Sequence, residues 1–180
     1  MSKRVLILTA NTGIEEPELL EPVKFLKQHD IEVSHAAEKK DTVQTVKNDA
    51  EPASQVQPDL TWQDADPSQY DLLLIPGGTV NADQLRIAPE VQRIIQSFTD
   101  NGKPIAAICH APWVLIDAER VRDKNLTSYK SIKLDLENAG GKWVDEEVHR
   151  CNTGDWPLIT SRNPNDIPAF NNAILKELNG

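Results

Sequence analysis

The segment "GKPIAAICHAPWVL", residues 102–115, sets a buried strand directly against a helix. Residues 104–108 form a short apolar run of the kind that is buried in a parallel sheet. Residues 112–121 are predicted to form a helix. A thiol and an imidazole, Cys109 and His110, lie side by side at the junction, so this junction is the first candidate for a functional site.

The alternation of strand and helix continues on both sides of this segment. The pattern predicts strands at 4–10, 31–34, 71–75, 142–148 and 158–161, and helices at 15–29, around 91–98, at 131–138 and at 166–178. Residues 38–68 are polar and contain several prolines, and they are predicted to be a loop with short strands. The order predicts one α/β domain over residues 1–180, a three-layer α/β/α sandwich around a mostly parallel, flavodoxin-like sheet.

Composition narrows the classes of partner. The chain of 180 residues has 28 acidic and 19 basic side chains and a net charge of −9. This charge disfavours nucleic acid and anionic membrane surfaces as partners. The apolar run at residues 5–8 is too short for a signal peptide, so we expect a cytoplasmic protein. In that reducing compartment Cys109 and Cys151 are expected to be free thiols.

A cysteine at the carboxyl end of a buried strand has the position of a nucleophile. A sharp strand-to-helix turn exposes the residue at its apex, and Ala107 and Ala111 supply small flanks beside Cys109. The helix start offers N–H groups and positive potential, which favour the thiolate and predict a lowered pKa. The loop at Gly77 and Gly78 is a second source of oxyanion donors.

Structural explanations compete with this interpretation. Cysteine is among the most buried residue types, so Cys109 in an apolar run is explained equally by packing. His110 is explained by an exposed position at the start of the helix. Glu15 and Glu18, at the start of the first helix, are explained as a solvated first turn that the helix dipole favours.

Four segments resemble the PfpI family, within the class I glutamine amidotransferase-like superfamily that includes the parkinsonism-associated deglycase. They are "AAICHAPWVLIDA", "DLLLIPGG", "LTSYKSIKLDLENAGGKWVDEEV" and "LITSRNPNDIPAF". The resemblance covers nearly the whole chain. It implies that Cys109 is the nucleophile, that His110 is its partner and that Glu18 is a carboxyl group hydrogen-bonded to the cysteine. A protonated Glu18 has a proton to donate to the thiolate.

The same resemblance assigns further residues. It makes Glu15 the second acid of the "GIEEPELLEP" motif and gives the backbone of Gly78 the place of an oxyanion donor. An acidic residue after the glycine loop, best matched by Asp83, is expected to reach His110 from a neighbouring subunit. The resemblance therefore implies a homodimer or a higher homo-oligomer. The sequence departs from the family pattern at Ala111, where glycine is common.

Other polar residues have simpler explanations. His149 and Cys151 stand two residues apart, but zinc needs three or four such ligands, so we expect a solvated turn and no metal. Arg162 is expected to form a surface ion pair. The sequence contains neither a dinucleotide-binding fingerprint nor a P-loop, and we expect no cofactor.

The activated sulfur supports three hypotheses about function. The first is a stress-protective enzyme of glyoxalase or deglycase type, in which Cys109 attacks the carbonyl of a small aldehyde or a glycated protein. The second is an intracellular cysteine peptidase or amidase. The third belongs to another class: a redox sensor or chaperone-like protein that acts through oxidation of Cys109.

Overall fold

Strands and helices alternate along the chain in the computed structural model, which describes residues 2–180. The strands are β1 (Arg4–Leu8), β2 (Thr12–Glu15), β3 (Glu32–Ala37), β4 (Val43–Lys47), β5 (Glu51–Val56), β6 (Leu60–Thr61), β7 (Leu72–Ile75), β8 (Ile105–Ile108), β9 (Asn125–Leu126), β10 (Lys142–Trp143), β11 (Val148–Cys151) and β12 (Leu158–Ser161). The helices are α1 (Glu16–Gln28), α2 (Thr79–Arg86), α3 (Pro89–Asp100), α4 (Pro112–Asp117), α5 (Lys133–Asn138) and α6 (Ile167–Asn179).

The main sheet has the order β11-β12-β8-β7-β1-β3-β6. The pairings from β12 through β6 are parallel, and β11 alone is antiparallel to its neighbour. In chain order its parallel core follows the 2-1-3-4-5 arrangement of flavodoxin-like folds, in which ligands bind beyond the carboxyl ends of the strands. The predicted α/β sandwich with a mostly parallel sheet is confirmed.

Alternating side chains of the buried strands supply two cores, one on each face of the sheet. Val5 and Ile7 of β1 pack on the face covered by α1 and α6. Leu6 and Leu8 pack on the opposite face, against α3 and α4. Because successive residues of a strand point to opposite faces, one short apolar strand serves both layers.

The polar region at residues 38–68 contains more regular structure than predicted. Strands β4 and β5 form an antiparallel hairpin, and β2 pairs with β4 to complete a small three-stranded sheet. The apolar alternation that marks a half-buried strand is weak here, because Thr45 is a buried polar residue and Pro52 lies within β5. Proline is tolerated at the edge of a sheet, and β5 is an edge strand.

The structure differs from the sequence analysis at three further places. Helix α2 is absent from the predicted helices, because its sequence TVNADQLR is mostly polar. Helix α4 ends at Asp117, since the chain turns through a left-handed residue at Glu119 (φ +57°). The strand predicted at 142–148 is two separate strands, β10 and β11, and the second contains His149 and the buried Cys151, which were expected in a solvated turn.

Candidate active site

Cys109 occupies a strained backbone turn between β8 and α4. Its φ is +64°, a left-handed conformation that costs a residue other than glycine on the order of 1–3 kcal/mol. Two hydrogen bonds fix the turn: the Cys109 N–H donates to the Ser161 carbonyl at 3.0 Å, and the Tyr129 N–H donates to the Cys109 carbonyl at 2.9 Å. The sequence therefore forms the expected elbow at the carboxyl end of a central strand.

The sulfur of Cys109 is surrounded by hydrogen-bonding groups, although the residue is only 4% exposed. The Nδ1 atom of His110 lies 3.2 Å from Sγ. The backbone N–H groups of Gly78 and His110 act to lower the pKa of the thiol. These donors stabilise a negative charge at the sulfur, because charge-assisted hydrogen bonds are the stronger kind.

Glu18 of α1 is completely buried beside this sulfur. The Gly77 N–H donates to its Oε2 at 2.8 Å, while Oε1 has no hydrogen-bond partner within residues 2–180. Burial raises the pKa of the Glu18 carboxyl from 4.5 to about 8, against the lowering effect of the Gly77 bond. The side chain is thus a carboxylic acid at neutral pH, with a proton available to donate.

Gly77 is the residue that allows the acid and the thiol to share this space. A methyl group at Gly77 would lie 2.4 Å from Oε2 of Glu18 and 2.6 Å from Cβ of Cys109. Both distances are far below van der Waals contact. The glycine is therefore required by close approach, and its N–H is already used by Glu18, so it is not a free oxyanion donor.

The expected lowering of the Cys109 pKa by the helix start is not observed. Burial is the largest effect and raises the pKa of the thiol, and the charge of an ionised Glu18 raises it further; the N–H groups of Gly78 and His110 act in the opposite direction. Burial raises the pKa of both groups, so the thiol of Cys109 and the carboxyl of Glu18 each keep a proton at neutral pH.

His110 packs among aromatic rings next to the thiol. Its ring stacks on Tyr129 with centroids 4.9 Å apart and meets the edge of Trp113 at 5.7 Å. Its Nε2 lies 3.3 Å from Oγ1 of Thr79 and 3.2 Å from Oγ of Ser131. Burial lowers the pKa of the imidazole, so the neutral ring is favoured and one nitrogen is free to accept a proton.

Glu15 has a position different from that of Glu18. Both of its oxygens accept backbone hydrogen bonds, from Asn48 at 3.0 Å and from Asp49 at 2.9 Å. These two residues form the tip of the β4–β5 hairpin. The second acid of the motif therefore anchors this hairpin against the start of α1, and its carboxylate has no free oxygen directed at Cys109.

The remaining predicted residues lie on the α2 side of the site. Gly78 has φ +94° and immediately precedes α2, and a methyl group there would lie 2.0 Å from the Gly13 carbonyl oxygen. Asp83 is exposed on α2, and its side chain forms no hydrogen bond or ion pair with another of residues 2–180. Its contact with His110 of a neighbouring subunit stays a prediction.

Sequence reasoning did not identify four neighbours of the site: Asp49, Thr79, Tyr129 and Ser131. One signal was present for the first, because Asn48-Asp49 is a dipeptide suited to the left-handed positions of a tight hairpin turn. Both residues have positive φ, at 52° and 61°.

Two cavities border the site. One of about 400 Å³ is lined by Tyr129, Trp143 and Arg162 among others, and one of about 470 Å³ is lined by Glu15, Leu20 and Pro164 among others. Arg162 forms the expected ion pairs, with Asp145 and Asp166.

Within residues 2–180, no three His, Cys, Asp or Glu side chains are grouped so that they could hold a metal ion. None of the helices described has both the length and the apolar character needed to cross a bilayer.

Cys151 is a second buried thiol, at the end of β11. Asn125 N–H donates to its sulfur at 3.3 Å, and the ammonium group of Lys124 lies nearby. Burial acts to raise the pKa of Cys151, but hydrogen bonds from Thr153 and Asn125 and the charge of Lys124 outweigh it and lower the pKa. The structure contains both cysteines as free thiols, as expected.

These features define a class: a doubly wound α/β protein with a cysteine at a nucleophile elbow, beside a buried carboxylic acid. Comparison with known proteins gives the particular family. The model of the DJ-1/PfpI family matches residues 3–177, and the chain belongs to that family.

Relatives and solved structures agree with this assignment. General stress protein 18 of Bacillus subtilis is 38% identical over 97% of both chains. Protein/nucleic acid deglycase 2 of Escherichia coli is 35% identical over 99% of both chains. The crystal structure of Drosophila melanogaster DJ-1beta has a TM-score of 0.87 to this protein and 32% sequence identity. The match covers 99% of this chain and 91% of the DJ-1beta chain.

Proposed function

We propose that this protein is a cysteine-dependent enzyme that acts on reactive carbonyl compounds, with glyoxalase or deglycase chemistry. The observation that carries the proposal is the buried carboxylic acid of Glu18, which lies against the thiol of Cys109 at a strained turn. A thiol that attacks a carbonyl needs a proton donor for the oxygen that becomes negative. Glu18 retains that proton at neutral pH.

The chemistry begins when His110 accepts the Cys109 proton at Nδ1, 3.2 Å from the sulfur. The thiolate attacks the aldehyde carbon of methylglyoxal, a C–S bond forms, and the carbonyl oxygen takes a proton from Glu18. A proton then moves from this carbon to the neighbouring ketone carbon through an enediol, and the product is a thioester of lactate. Water hydrolyses the thioester and restores the thiol, so methylglyoxal and water yield lactate without an external oxidant.

An amine adduct of methylglyoxal enters the same route. The thiolate displaces the amine from the carbinolamine carbon, and the amine leaves with a proton from the acid. The hemithioacetal that remains is the one formed from free methylglyoxal. The name of the Escherichia coli relative, a protein and nucleic acid deglycase, supports such adducts as substrates.

The burial of Cys109 favours small electrophiles over peptide bonds. With the residue 4% exposed, an aldehyde or a carbinolamine at the tip of a long side chain reaches the sulfur more easily than a folded backbone does. The proposal therefore ranks peptidase or amidase activity below carbonyl chemistry.

The test measures lactate formation from methylglyoxal, and amine release from methylglyoxal-treated N-acetyl-lysine, with wild type, Cys109→Ala and Cys151→Ala. We expect Cys109→Ala to reduce kcat/KM by roughly 10³-fold or more, because no other group forms the covalent intermediate. Cys151→Ala is the matched control and is expected to keep wild-type turnover. Equal rates for wild type and Cys109→Ala, after removal of contaminating glyoxalases, would overturn the proposal.

A second candidate function, redox sensing, draws on the Oε1 atom of Glu18, which has no partner within residues 2–180. A protonated carboxyl with a free oxygen is suited to hold a sulfinic acid at Cys109. Mild peroxide followed by mass spectrometry tests it: addition of two oxygens at Cys109 in a protein that turns over neither aldehyde nor peptide would favour the sensor.

A further inference from the structure

The tip of the β4–β5 hairpin is held firmly against the active site. Glu15 accepts hydrogen bonds from the N–H groups of Asn48 and Asp49, and it is itself 8% exposed. Both tip residues have left-handed backbone conformations, which fix the direction in which the Asp49 side chain leaves the turn. The buried acid therefore sets the position of the exposed one.

Asp49 connects this tip to His110 through one intermediate residue. Its Oδ1 accepts the Thr79 N–H at 2.7 Å, at the first residue of α2. The Thr79 Oγ1 then lies 3.3 Å from Nε2 of His110. The bond to Asp49 thus fixes one of the two residues whose hydroxyls lie within hydrogen-bond distance of Nε2, the other being Ser131 at 3.2 Å.

The charge of Asp49 also acts on the site. The titratable groups around the imidazole include the Cys109 thiol, the stacked Tyr129 phenol and the Asp49 carboxylate, with Glu18 beyond the sulfur. Burial lowers the pKa of His110, and the Asp49 carboxylate acts in the opposite direction. A negative charge on the Nε2 side favours a proton on Nε2, which leaves Nδ1 free to accept the proton of Cys109.

We propose that Asp49, from the same chain as Cys109, is a carboxylate that positions His110, acting through Thr79 and favouring the Nε2–H form of the ring. This role rests on the proposed function, because it assumes that His110 accepts the thiol proton. It also assigns to the same chain an orienting acid that the family resemblance seeks in a neighbouring subunit, at Asp83.

The test titrates His110 by NMR in the full-length protein, with the resonance assigned by its loss in His110→Asn. We expect Asp49→Asn to lower the His110 pKa relative to wild type, whereas Asp83→Asn leaves it unchanged. In turnover, Asp49→Asn is expected to lower kcat by about three- to fivefold with little change in KM, as for one partly screened charge. Asp49→Glu is expected to restore part of the loss.

Two outcomes would overturn the role of Asp49: a wild-type His110 titration in Asp49→Asn, or a shift in Asp83→Asn alone, which would favour the partner-subunit acid. Thr79→Val provides a second variant, because it keeps the N–H bonded to Asp49 and removes only the hydroxyl. We expect it to weaken the Nε2–H preference, seen in the 15N shifts of the ring, in a folded protein. The NMR arms require no turnover, so an inactive enzyme would count against the proposed function and leave the Asp49 test intact.

Discussion

Cys109 and Cys151 are both buried thiols whose pKa values nearby backbone N–H groups act to lower, but their surroundings differ in charge and in conformation. Cys109 stands at a left-handed turn beside a neutral acid, and its pKa is raised, with burial the largest cause. Cys151 lies in a regular strand, and hydrogen bonds and the Lys124 ammonium group lower its pKa despite burial.

The comparison shows that the acidity of a thiol and its place in the fold are separate properties. Cys151 is the more acidic thiol, yet it lies on an edge strand, and its charged neighbour is the Lys124 ammonium group. Cys109 lies at the carboxyl end of a central parallel strand, beside the carboxylic acid of Glu18 and with an imidazole at 3.2 Å. Under the proposed function, the turn and its acid decide which cysteine acts on a carbonyl, and a low thiol pKa alone does not.

The largest effect is expected at the acid beside Cys109, because the buried Glu18 makes the stability of the protein depend on pH. The folded-state pKa is about 8, whereas the unfolded carboxyl titrates near 4.5. Above pH 4.5 the unfolded state loses the proton that the folded state keeps. The contribution of protonated Glu18 to the free energy of unfolding is therefore fully present below pH 4.5 and is lost as the pH rises to about 8. We expect a loss on the order of 4 kcal/mol across this window.

Urea unfolding of wild type and Glu18→Gln at pH 5, 6.5 and 8 measures that contribution. The neutral amide cannot titrate, so the difference in the free energy of unfolding between the two proteins should change with pH in favour of the variant. Cys151→Ala is the control and should keep the wild-type slope. A constant difference between pH 5 and 8 would show that the Glu18 pKa is not raised.

A smaller effect on stability is expected when a glycine near either cysteine is replaced by alanine. Gly77→Ala places a methyl group 2.4 Å from Glu18 and 2.6 Å from Cys109, so we expect a loss of about 3 kcal/mol and of most carbonyl activity. Gly154→Ala is the matched change near Cys151, where the nearest atom is Lys124 Nζ at 3.8 Å. Its positive φ predicts a loss of about 1 kcal/mol with full activity. Chemical denaturation and turnover assays measure stability and activity for both variants. Equal losses in Gly77→Ala and Gly154→Ala would contradict the close packing at Gly77.

A smaller effect than that of Gly77→Ala is expected at Lys124, which is 4% exposed and donates to the carbonyls of Thr153 and Trp156. Lys124→Met leaves both carbonyls without this donor, and we expect a loss of about 2 kcal/mol. It also removes the positive charge beside Cys151, so the Cys151 pKa should rise. Thiol titration by 13C NMR checks the second effect, with the exposed Lys142→Met as control. An unchanged Cys151 pKa would contradict the role of the ammonium group.

The central sheet was predictable because its strands are short, continuous apolar runs, as at Leu72–Ile75 and Ile105–Ile108. Such runs require burial on both faces, and helices between them leave few topologies. The hairpin at Val43–Lys47 and Glu51–Val56 was not distinguished from loop, because its pattern contains a buried threonine and a proline.

The candidate site was predictable only in part. The strand-turn-helix pattern located Cys109, and the glycine loop located Gly77 and Gly78. The burial of Glu18 is a tertiary property: an acid in the first turn of a helix has the same local sequence whether it faces solvent or the thiol. The hydrogen bonds of Glu15 to Asn48 and Asp49 join segments far apart along the chain, so no local pattern reveals them.

The conformation of Cys109 links the active site to the order of folding. Its strained turn is fixed by Ser161 from β12 and by the Tyr129 backbone, which are distant in sequence. Local propensity opposes a left-handed cysteine, so the turn becomes stable only after both partners have docked. Both contacts close long loops, and the entropy of loop closure opposes their formation. We therefore expect the Cys109 turn to be completed late in folding, so that a partly folded chain carries a cysteine without this geometry.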